Sequence, residues 1–277
     1  MDIREITKEI FEKNVPAAKM PERNTSVYER VKAKFDESFQ SLINDVVNDS
    51  YVKFADEDNE FKDLILRTIC LDAFVRTCRS LDLVLTATGF GIVSTESTAP
   101  ASKVRVDALI EEMNLERIKA VDRIISKMIF IAGWSDSEQA KKCIDTLFYS
   151  PLQLQRYTTL AFSSNNWQRA KGRAITADAL LRSEISEEYM EELLQKQRSA
   201  SLENTDIIVV QKCCRFIGDY ISQDDPPLPN KLMLQSIVEQ MENYPQSYLT
   251  YTQSRLYRLR HGERYENKRE DPTFFFM

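Results

Sequence analysis

Histidine is nearly absent: the chain of 277 residues holds one, His261. Hydrolytic triads and most zinc sites draw on histidine as base or ligand. A single histidine beside Gly262 in a charged stretch, far from any cysteine group, supplies neither and reads as solvated. Glycine and proline are also scarce, at six and nine. All-β folds spend such residues on many turns, so the shortage points to helices. The five cysteines, Cys70, Cys78, Cys143, Cys213 and Cys214, form no C-x-x-C pair and lie mostly in apolar stretches. They read as small, reduced core residues of a chain made in a reducing compartment. No window approaches 18 apolar residues and the first ten residues are charged throughout, so neither a membrane span nor a secretory signal is expected.

Other chemistries are missing as well. There is no G-x-x-x-x-G-K-S/T loop, and Gly89-Phe90-Gly91 lacks the third glycine and the strand–helix setting of a dinucleotide fingerprint. Asp56-Glu57-Asp58 lacks the glycine and distal glutamate of a calcium loop. The pairs Glu111-Glu112, Glu187-Glu188 and Glu191-Glu192 read as solvated helix faces. The chain is therefore expected not to be an enzyme, with no catalytic residue, cofactor or metal assigned.

What is present is material for a core: 43% of residues are hydrophobic and 10% aromatic, with 29% charged and a net charge of −6. The negative balance disfavours nonspecific nucleic-acid binding, which runs on phosphate neutralisation, without excluding a local basic patch. Apolar residues recur at helical spacing over 2–13, 26–48, 59–82, about 102–133, 176–198 and 204–221, with shorter runs from Pro151, 230–242 and 247–259. The 204–221 patch has strand-like composition but is read as a buried helix. A Ser135-x-x-Glu138 pair reads as a capping box opening a helix to about Phe148, and Gln223–Asn230 is the strongest breaker. The fold expected is mainly α, a multi-helix bundle with one short β-hairpin or extended loop near 83–98. It would form a single helical domain over 1–260, with a subdivision allowed near 163–175, followed by an extended tail over 261–277.

Three segments stand out as interaction elements. At 83–98 the chain turns β-branched and glycine-bearing, as extended chain, turn and extended chain. Thr88, Gly89, Phe90, Gly91, Ile92 and Val93 would form a loop that either packs locally or pairs with another chain. Phe274, Phe275 and Phe276 gain nothing in water, and burying one such side chain stabilises by roughly 1.5–3 kcal/mol. They would tuck back onto their own domain or dock on a neighbour. Trp167, Arg169, Lys171 and Arg173 mix one aromatic with three cations, either for contact with phosphate or for pairing with acidic neighbours.

The run Leu83-Val84-Leu85-Thr86-Ala87-Thr88-Gly89-Phe90-Gly91-Ile92-Val93-Ser94, followed by Ala99-Pro100-Ala101-Ser102-Lys103-Val104-Arg105-Val106, resembles a segment of phage and prophage structural proteins, over about residues 83–110. The resemblance implies a virion component between portal and tail, by analogy with all-helical head–tail connectors that form twelve-fold rings. It brings no catalytic residues. On this reading the protein would be made in the bacterial host cytoplasm and end in the virion. It would form a homo-oligomeric ring, contact portal and tail proteins and meet DNA only in passing. The alternative from a different class is an intracellular helical regulatory or nucleic-acid-binding protein that uses the 167–173 run.

Overall fold

The computed structural model describes residues 6–18, 26–81, 83–86, 89–92 and 102–262. In chain order the helices are α1 Lys8–Asn14, α2 Ser26–Lys32, α3 Phe35–Leu42, α4 Asn59–Cys78, α5 Lys103–Met128, α6 Glu138–Cys143, α7 Pro151–Tyr157, α8 Ser164–Glu184, α9 Glu187–Arg198, α10 Asn204–Ser222, α11 Lys231–Glu242, α12 Leu249–Gln253 and α13 Arg255–His261. Between α4 and α5 the backbone forms an antiparallel pair, β1 Leu83–Thr86 with β2 Gly89–Ile92, in the register Leu83↔Ile92 to Thr86↔Gly89. The fold is mainly α with one short hairpin, as the glycine and proline shortage implied. The register puts Gly89 first in β2 and leaves residues 87–88 between the strands. Thr88 and Val93 of the expected interaction loop lie outside the described residues, as do Phe274, Phe275 and Phe276.

Two helices organise the packing. α4 lies against α1, α2, α3 and α5. It buries Phe61, Leu64, Ile65, Leu66, Ile69, Cys70, Leu71, Ala73 and Phe74, a helix apolar almost all round and hence enclosed. The Asp58 carboxylate caps its first turn, accepting from the Phe61 amide at 3.1 Å. α10 plays the same part further on, against α7, α8 and α11. It buries Val209, Val210, Cys213, Cys214, Phe216, Ile217, Tyr220 and Ile221, so the stretch with strand-like composition is a core helix. α5 joins the two sets by contacting α4, α7 and α8.

Close approach fixes α10 on α7. At Gly218 a side-chain carbon would overlap the Tyr157 backbone carbonyl, so only glycine lets the helices come this near. Gly133 has φ +84° at the turn after α5, a left-handed position suited to glycine.

Four expected boundaries shift. The 26–48 helix is interrupted at residues 33–34, and after α3 it continues as a single π turn, Ile43–Val47, closed by the Asn48 amide on the Ile43 carbonyl at 2.8 Å. The helix after Trp134 starts at Ser137, whose hydroxyl accepts from the Ala140 amide at 3.1 Å, and it stops at Cys143. Ser135 is therefore not the cap: residues 134–136 form a 3-10 turn. The stretch 163–174, left outside the expected helical runs, is the first half of α8. Ser163 caps that helix by accepting from the Asn166 amide at 3.1 Å, and Gly172 sits in it facing open space. The 176–198 run breaks at Ile185-Ser186, where the Ser186 hydroxyl accepts from the Tyr189 amide at 3.0 Å and starts α9.

Candidate functional site

The first half of α8 places Trp167, Gln168 and Lys171 on one face, at helical spacing i, i+1, i+4. Opposite them α5 presents Arg117, Ile118, Val121, Asp122 and Ile125 on its own single face. The end of the π turn adds Asp45 and Val46, the end of α6 adds Lys142 and Cys143, and Tyr149 and Pro151 close the far side. Together they bound a cleft of about 340 Å³. Its floor is apolar and its rim carries Lys142 and Lys171, both exposed. The Lys171 ammonium lies 5.6 Å from the centre of the Trp167 ring. Neither lysine forms an ion pair among the described residues. The Arg117 guanidinium is tied to Asp72 at 3.4 Å, while its Nε is buried without a partner.

Burial governs the protonation of the cleft. Asp122 is 8% exposed, and that burial raises its carboxyl above the ordinary range, with a Ser150 hydrogen bond pulling the other way. Burial likewise pushes the Cys143 thiol up to about 12, and the thiol donates to the Asp45 carbonyl at 3.3 Å. It stays protonated and is no nucleophile near neutrality. Desolvation also raises Cys70 and Cys214 to about 12 and moves Cys213 in the same direction. With none in a disulfide, these agree with the reading of core cysteines.

The basic run 167–173 divides by role. Trp167 and Lys171 face the cleft. Arg173, 9% exposed, turns the other way and donates through Nη1 to the Ile221 carbonyl at 2.7 Å and the Gln223 carbonyl at 2.5 Å. Its other nitrogen pairs with Asp225. It thus satisfies the carbonyls at the negative end of α10. Arg169 reaches the same Asp225 at 3.3 Å. Sequence spacing grouped the four residues, but the helix separates them onto two faces.

A second concavity, about 430 Å³, lies at the other end of α8. Leu180, Pro229, Leu234 and Val238 give it apolar walls, and Lys231, Glu184 and Arg260 edge it. Arg260 of α13 pairs with Glu184 of α8 at 3.0 Å. Leu228, Leu232 and Leu259 stand 71%, 79% and 70% exposed in the same elements or their flanks. His261 is held rather than freely solvated: its Nε2 lies 3.0 Å from the Glu242 carboxylate and its ring packs 4.2 Å from that of Tyr257.

The acidic pairs are less passive than solvated faces. Glu191 accepts from Arg198 at 2.9 Å and from Arg182 at 3.5 Å. Arg182 also holds Asp178 at 2.6 Å and pairs with Glu187. Arg198, 5% exposed, donates to the Ile144 carbonyl at 3.0 and 2.9 Å. Glu111 accepts from the Ser164 amide at 2.7 Å, at the start of α8. No group of three or more metal-ligating side chains occurs among the described residues, and no described helix is long and apolar enough to cross a membrane.

Fold and site thus define a helical protein with two concavities at opposite ends of one helix. A family model described as "Family of unknown function (DUF6712)" matches residues 21–144, a little under half of the chain. The matched part includes the π-turn, α5 and α6 sides of the cleft; α8 lies beyond it. No curated protein and no solved structure matches the chain.

Proposed function

We propose that the protein is a structural assembly component, a head–tail connector that forms a ring between portal and tail of a tailed phage. The observation that carries the assembly part is the exposure of Leu228, Leu232 and Leu259 around the groove of Leu180, Pro229, Leu234 and Val238. Single exposed leucines are ordinary, but several beside an apolar groove make a patch of the kind that meets another protein. The phage part rests on the resemblance of residues 83–110. In a closed ring the contacts are heterologous, so each copy needs two different surfaces. The groove and the cleft supply two.

The test is a native mass measurement of purified protein, alone and with portal protein. A defined oligomer, or a complex with portal, is expected. A strict monomer that ignores portal and neighbouring tail proteins overturns the reading. The nucleic-acid alternative is best probed at Lys142 and Lys171. Arg173 is committed to α10, so its loss would perturb the fold before it reported on binding.

A further inference from the structure

We propose that the cleft between α5, α6 and α8 receives the acidic-aromatic segment Glu270–Phe276 of a second copy of this chain. The proposal rests on the assembly reading, because it needs a neighbour. It names the contact through which that neighbour is held.

The chemistry of cleft and segment is complementary. The cleft offers an apolar floor of Ile118, Val121 and Trp167 beneath two cations, Lys142 and Lys171, that form no ion pair among the described residues, with Asp145 near enough to Lys171 to feel its charge. Glu270-Asp271-Pro272-Thr273-Phe274-Phe275-Phe276 carries two carboxylates followed by three aromatic rings. At about 340 Å³ the cleft is near the lower end of ligand-pocket volumes. That suits an aromatic anchor better than an extended surface, and buried aromatic anchors carry much of the energy of protein contacts. Two carboxylates, Asp45 and Asp122, also face the cleft. Asp122 is covered and hydrogen-bonded to Ser150, which leaves the exposed Asp45 as the one open carboxylate against the two exposed lysines of the lining.

Geometry favours a neighbouring copy over the same one. The segment follows α13, whose Arg260 is fixed to Glu184 at the far end of α8. Gln168 and Glu184 are separated along α8 by about 24 Å at 1.5 Å per residue. From Arg260 to Glu270 the chain takes ten steps and reaches at most about 33–36 Å when fully extended. Carrying the acidic pair to the cleft of its own chain lies within that reach but draws the segment out over most of it. A neighbour set head to tail, with its cleft against the α13 end, needs none of it, and such packing is what a closed ring requires.

The test uses the full chain with photoreactive benzoyl-phenylalanine in place of Phe275. A mixture of isotopically light and heavy copies is irradiated, and the cross-linked peptides are mapped by mass spectrometry. Cross-links into residues 117–125 or 167–171 that join light to heavy copies are expected. Lys142→Glu with Lys171→Glu should cut their yield by about fivefold, as two partly exposed ion pairs are lost, with the helical circular dichroism and melting unchanged. Cross-links only within one copy, only into the α11–α13 groove, or unaffected by the double substitution would overturn the proposal. An oligomer without cleft cross-links defeats this docking and leaves the assembly reading standing. A monomer without them defeats both.

Discussion

The surroundings of α4 and those of α8 to α10 reach the same end by different means. Around α4 the buried polar groups are few and largely local: Thr68 and Thr77 donate to the carbonyls of Leu64 and Ala73 one turn back, each at 2.8 Å. Position there is set by shape, through Phe11, Phe35, Phe61 and Phe74. In the later half Arg173, Asp178, Arg198 and Asp206 are buried; Arg173, Arg198 and Asp206 bond to groups on other elements, while Asp178 holds Arg182 one turn on. Apolar packing tolerates substitutions that keep volume. A buried charge tolerates no loss of its partner. The lesson is that one chain can specify half its core by volume and the other half by directed hydrogen bonds.

The largest effects should come from breaking each device at its centre. Phe61→Ala, at a 1% exposed site, should cost about 3–5 kcal/mol through lost burial and a cavity. Arg198→Ala should cost about 1–3 kcal/mol, because the buried Ile144 carbonyl loses its donor, while the half-exposed Glu191 keeps Arg182. Denaturant melts measure both. If Arg198→Ala proved neutral, the contrast between the halves would fall. Gly218→Val comes next, at about 1–3 kcal/mol or more, since α7 and α10 must separate. A wild-type melt in that variant would refute the close approach.

Leu228→Ser with Leu232→Ser should shift stability by no more than about 0.5 kcal/mol per exposed site, while lowering the oligomer mass in a native mass spectrum. Retention of the full oligomer would remove the groove from the assembly. The smallest effect is a pH dependence at Asp122. Its folded carboxyl titrates above the ordinary value because of burial, so the folded state holds its proton to higher pH than the unfolded chain. This group's contribution is most favourable below the ordinary carboxylate value and is lost as pH rises through the folded value. Asp122→Asn should flatten the melting temperature against pH over that acid-side window and raise it slightly near neutrality. An unchanged slope would show that the carboxyl is not desolvated.

Much of the fold was legible because periodicity reports which face is buried. The enclosed nature of α4 and α10 follows from apolar residues at nearly every turn. Three of the four boundaries that moved did so where a short polar side chain chose between neighbouring roles. Ser137 rather than Ser135 caps α6, and Ser163 converts an asparagine-rich stretch into a helix start. Local spacing does not decide which serine finds a free amide. The cleft was half legible. Trp167 and Lys171 stood out as an aromatic beside a cation, but Lys142 and Arg117 lie about 25 and 50 residues earlier in the chain. No short-range pattern links them; only the docking of α5 and α6 against α8 does. Arg173 was singled out for a task that its burial assigns elsewhere.

That arginine has a consequence for how the chain tolerates change in length. Arg173 grips the last carbonyls of α10 from a point midway along α8, so the two helices are keyed like a bolt in its keeper. Adding or removing one residue between Ser163 and Arg173 would swing the guanidinium around its axis by about 100°. The keeper would then be empty even though every residue of α10 was untouched.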